Sequence, residues 1–91
     1  MNNLTLVDLF LNEYWIEKGL SENTVQSYRL DLTALCDWLD KQNLSLETLE
    51  PLDLQQFLGS RLEQGYKATS TARMLSAMRK LFQYLYREKY R

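Results

Sequence analysis

From Leu4 to Glu88 the apolar residues return at intervals of three and four and nowhere alternate. That spacing lets a chain bury one side of a helix but not one face of a sheet. Gly19, Pro51 and Gly65 mark the breaks, and four helices are expected. The first spans about Leu4–Lys18, with Val7, Phe10, Leu11 and Tyr14 on its apolar stripe. Gly19 suits a left-handed C-cap. Ser21 is placed to cap the second helix, which runs to about Gln42 and buries Val25, Tyr28, Leu32, Leu35, Cys36 and Leu39. A connection anchored by Leu44, Leu46 and Leu49 leads to Pro51, a natural first residue for the third helix. That helix carries Leu54, Phe57, Leu58 and Leu62 inward and stops at Gly65. Thr69 is expected to cap the fourth, which continues to about Glu88.

In the fourth helix, Thr71, Leu75, Met78, Phe82 and Leu85 form the expected core face. Thr69, Arg73, Ala77, Lys80, Tyr84 and Arg87 fall opposite, with Arg79 at the flank. A helix with cations along its outer face and small polar residues at its start can enter a DNA major groove. Charge is distributed to match. Residues 67–91 hold seven basic side chains and one acidic, whereas residues 1–66 hold four basic and eleven acidic. Either one face meets a polyanion or the basic C-terminal helix docks on acidic neighbours.

Several classes are excluded. A chain of 91 residues makes one domain, 1–91, burying about 60–65% of its unfolded surface, with little room for a deep catalytic cavity. No apolar run approaches the roughly 20 residues that cross a bilayer, and the N-terminus lacks the features of a secretory signal. The single Cys36 forbids an internal disulfide, so a cytoplasmic setting is the default. It reads as a small buried hydrophobe. No glycine-rich phosphate loop or zinc pattern occurs, so no metal or cofactor is expected.

Two stretches carry a resemblance. Ser21-Glu22-Asn23-Thr24-Val25-Gln26-Ser27-Tyr28-Arg29-Leu30-Asp31-Leu32 resembles the second helix of the core-binding domain of tyrosine site-specific recombinases. YKATSTARMLSAMRKLFQYLYREKYR, from Tyr66 to Arg91, resembles that domain's fourth helix and the start of a linker. Together they resemble the Xer branch of the family. The resemblance implies an all-α, SAM-like four-helix orthogonal bundle whose helices two and four face duplex DNA. It implies that the chain is the N-terminal part of a longer enzyme that cleaves and rejoins DNA through a separate catalytic domain. That domain uses histidines among its catalytic residues; this chain contains none, so the fragment itself is expected not to be an enzyme. It further implies action on a recombination site in chromosome dimer resolution, with a partner recombinase of the XerC type in a heterotetramer and, for the full-length enzyme, a septal DNA translocase. A phage or transposon integrase arm is the near alternative. A helical protein–protein interaction module is the distant one.

The DNA-contacting candidates follow. Arg73, Lys80 and Arg87 would meet phosphates, with Lys67 and Arg79 beside them. Thr69 and Ser70 would add donors at a helix N-terminus. On helix two, Asn23, Gln26 and Ser27 could read base edges and Thr24 lies among them, while Arg29 fits a phosphate or a surface ion pair.

Overall fold

The computed structural model describes residues 2–91. Four helices succeed one another: α1 (Asn3–Lys18), α2 (Glu22–Lys41), α3 (Pro51–Glu63) and α4 (Ala68–Arg87). The described residues contain no strand. The all-α four-helix bundle expected from the sequence is what forms.

Each boundary has a local cause. The side chain of Asn2 caps α1 by accepting from the Leu4 and Thr5 N–H groups at 2.8 and 3.2 Å. Gly19 closes it in the left-handed region, φ 59°, its N–H returning to the Trp15 carbonyl. Ser21 Oγ accepts from the Thr24 N–H and caps α2. Pro51 opens α3, and the Asp53 carboxylate reaches back to the Glu50 N–H at 2.9 Å. α4 departs from expectation. Its N-cap is Lys67, whose side chain makes no cap hydrogen bond, and Thr69 sits exposed inside the first turn. The helix therefore starts two residues early.

All four helices and the α2–α3 connection feed one core, including Leu6, Phe10, Leu32, Leu35, Leu46, Phe57, Met74 and Leu81. α4 packs on α1, α2 and α3. Its buried face is Met74, Ala77, Met78, Leu81, Tyr84 and Leu85. Relative to the expected stripe, that face is rotated by roughly 80° at 100° per residue. Ala77 and Tyr84, expected outside, are buried, whereas Thr71, Leu75 and Phe82 are only half-buried. A helix serving three neighbours buries a wide arc, and the small Ala77 lets neighbours approach closely, so apolarity alone misplaces its centre. Leu62, expected inside, is 58% exposed.

A buried side chain that the apolar pattern could not reveal fixes the α2–α3 connection. Asn3 Nδ2 donates to the Leu44 carbonyl and to Asp40, and its Oδ1 accepts from the Leu46 N–H at 2.8 Å. The amide satisfies loop backbone groups that pass beneath α1 away from water. Asn3→Ala is expected to leave those groups unpaired and cost about 1–3 kcal/mol, measured by urea unfolding.

Cys36 is 2% exposed. Burial, with Asp40, Asp37 and Asp8 adding, pushes its thiol from 9.0 up to about 12. The thiol is expected to resist iodoacetamide at pH 8 in the folded chain and to react at once in urea. Because the folded value is the higher one, this group's contribution to stability is complete below about 9 and is lost as pH rises toward 12. Melting temperatures across that range check the sign.

Candidate nucleic-acid interface

The rotation of α4 relocates its cations. Arg73, Lys80 and Arg87 lie not opposite the core but on its edge, in line with buried Ala77 and Tyr84. Two of them stand at the seam with α2. Arg73 donates from Nε and Nη2 to the two carboxylate oxygens of Asp31, at 2.8 and 3.0 Å. Asp31 is buried at 5% exposure, while the Arg73 side chain remains 52% exposed. The carboxylate thus forms the floor and the guanidinium the outer surface. Asp31, through its hydrogen bonds and then its charge, raises the Arg73 pKa further, so the cation is permanent. About two helical turns along, Lys80 Nζ donates to Ser76 Oγ at 2.9 Å and lies 5.9 Å from the Tyr28 ring centroid.

The α2 side of the seam supplies polar side chains. Thr24, Ser27 and Tyr28 are half-buried, and Asn23, Gln26 and Leu30 are exposed. Ser21 and Thr24 hydroxyls bond each other at 3.0 Å, and Gln26 donates to Glu22 at 3.4 Å. At the start of α4, Lys67 and Thr69 are exposed and Ser70 half-buried. Since no side chain caps this end, the N–H groups of residues 68–70 are open to an acceptor from outside.

The other candidates go elsewhere. Arg29 pairs with Asp8 of α1. Arg87 pairs with Glu13 and Glu17 of α1 at 2.9 and 3.3 Å, which realises the docking of basic helix on acidic neighbour that the charge asymmetry left open. Arg79 is exposed on the face of α4 away from the core, toward α3, and makes no ion pair among the described residues.

Asp31 belongs to the 21–32 stretch, and its position in the apolar pattern signals the pairing. It is an acid at a core-facing phase, three residues after Tyr28 and four before Leu35. Such a residue needs a cation, and Arg73 is the cation that α4 brings within reach. Removing either partner strands the other. Asp31→Asn and Arg73→Ala should each cost about 1–3 kcal/mol, less than a fully buried pair because the guanidinium is half in water. The double variant should cost less than the two together, leaving a coupling of about 1 kcal/mol in urea unfolding.

Residues 7–89 match the family described as Phage integrase, N-terminal SAM-like domain. The chain is 88% identical over its whole length to tyrosine recombinase XerD of Haemophilus influenzae, covering 31% of that protein. It is 72% identical over its whole length to XerD of Pasteurella multocida, again 31% of that protein. It is 60% identical over 86 residues, 94% of the chain, to XerD of Yersinia pestis, covering 29% of that protein. The chain thus spans under one third of the length of these relatives.

Proposed function

The chain belongs to the family of the phage integrase N-terminal SAM-like domain, and on that premise we propose that it binds duplex DNA through the seam of α2 and α4. The observation that carries the reading is the Arg73 guanidinium, held by a buried carboxylate yet half in solvent beside Lys80. A cation fixed in this way loses little side-chain freedom when it meets a phosphate. Lys67, Thr69, Ser70 and the open first turn of α4 extend the surface along the helix start. Asn23, Thr24, Gln26 and Ser27 on α2 offer hydroxyl and amide groups to base edges. Outside this seam, Arg79 faces α3, and Arg29 and Arg87 pair with acids of α1.

These relatives are tyrosine recombinases. By analogy we assign the chain to an XerD-type enzyme acting at a duplex recombination site in chromosome dimer resolution, in the cytoplasm. A partner of the XerC type would complete a heterotetramer, and a septal DNA translocase would act on the full-length enzyme. Strand cleavage would belong to the portion of such an enzyme beyond this chain, which itself has no histidine.

Duplex binding followed by fluorescence anisotropy against salt tests the proposal. Three cation–phosphate contacts, from Lys67, Arg73 and Lys80, give a log–log slope of about −3 between roughly 50 and 200 mM. Arg73→Ala is a poor probe, because it exposes the fold to the buried Asp31 charge. Lys67→Ala with Lys80→Ala is the better one, expected to weaken binding to every sequence and reduce the slope by about one unit per contact. Arg79→Ala with Lys89→Ala removes the same charge at exposed residues outside the seam and should change little. Equal losses from the two pairs, or a flat salt response, would point instead to a protein–protein module.

A further inference from the structure

On the α3 side of α4 the surface changes character. A hollow of about 280 Å³ is lined by Leu54 of α3 and by Leu75, Met78, Phe82, Tyr86 and Arg79 of α4. It continues into a second hollow of about 230 Å³ that shares Leu54, Phe82 and Tyr86 and ends at Leu49, Pro51 and Arg91. Tyr86 is 60% exposed and the nearby α3 residue Leu52 is 62% exposed. Two cations border this apolar floor, and neither has a carboxylate partner among the described residues. Arg79 is exposed. Arg91 donates to the Leu46 and Leu49 carbonyls at 2.8 and 2.6 Å and lies 5.4 Å from the ring centroids of Phe82 and Tyr86. Eleven of the chain's twelve acids precede residue 67, yet none lines either hollow.

We propose that this groove between α3 and α4 docks an acidic amphipathic helix of another protein. The floor needs apolar side chains to fill it, which a nucleic acid backbone lacks, and the two arginines need carboxylates. From Leu75 to Tyr86 the groove runs eleven helical steps, about 16 Å at 1.5 Å each, so an occupant of about three turns covers it. Apolar anchors on one face with glutamate or aspartate on the flanks satisfy both demands. The groove lies apart from the α2–α4 seam, so the inference stands whether or not that seam binds DNA.

A stapled helical peptide of about twelve residues, with leucine and phenylalanine on one face and glutamate on both flanks, is the probe. Titrated into the isotope-labelled 91-residue chain, it should shift resonances of Leu54, Phe82 and Tyr86 saturably. The same peptide with lysine for glutamate should bind about tenfold more weakly at low salt. Tyr86→Asp, on an exposed side chain, should abolish the shifts without loss of helicity. Arg79→Glu, which leaves Arg91 as the one cation facing a new carboxylate, should remove the preference while both peptides still bind, an outcome that misfolding cannot imitate. Equal binding of both peptides, or shifts confined to other faces, would overturn the proposal. So would displacement of the peptide by duplex DNA, which would make the groove a nucleic-acid surface. Self-association of the chain that Tyr86→Asp dissolves would assign the groove to a second copy. Loss of peptide binding in a full-length relative would mean that the protein covers the groove with its own chain.

Discussion

Helix α4 is held by three neighbours at once, and its buried arc of Met74, Ala77, Met78, Leu81, Tyr84 and Leu85 sets the orientation of everything else it carries. Side chains on a helix cannot turn independently of the backbone. Once this arc is fixed, Arg73 and Lys80 must lie on the α2 side, Arg87 against α1, and Arg79 toward α3. The four cations, which look like one basic feature in the sequence, are thereby sorted into different environments. Packing of apolar groups decides the electrostatics of the surface, because burying the arc contributes several kcal/mol in total while each exposed ion pair contributes about 0–1 kcal/mol.

Asp31 shows where polarity takes part in that decision. A carboxylate at 5% exposure is costly unless paired, and Arg73 meets both of its oxygens. The pair therefore favours one rotation of α4 against α2 over its neighbours. The same contact leaves the guanidinium half in water at the seam. Structural and surface roles coincide in one residue, so a substitution there changes the fold and the proposed DNA surface together. Lys67 and Lys80 separate the two questions, since neither supports a buried charge.

Asn3 plays a comparable part at the other end of the bundle. One amide makes two hydrogen bonds to the α2–α3 connection and a third to Asp40 of α2, and so fastens the connection beneath the start of α1. The loop then delivers Leu46 and Leu49 to the core and presents their carbonyls to Arg91. This single loop thus links the N-terminus, the core and the last residue of the chain, and its position shapes one end of the α3–α4 groove.

Helix number, the Gly19 and Ser21 boundaries and the Pro51 start were legible in the sequence because they follow from local rules: apolar spacing, backbone freedom and capping. The polarised charge and the resemblance of residues 21–32 and 66–91 were legible for the same reason, as patterns along the chain. The rotation of α4 was not. Its apolar residues cover so wide an arc that two stripes, centred roughly 80° apart, describe it almost equally well, and only contact with α1, α2 and α3 selects one. Nor could spacing reveal that Asp31 and Arg73, 42 residues apart, would meet. Local structure is set by neighbours in sequence, whereas the identity of a cation's partner is set by which helix faces close on each other, and that is a property of the packed bundle.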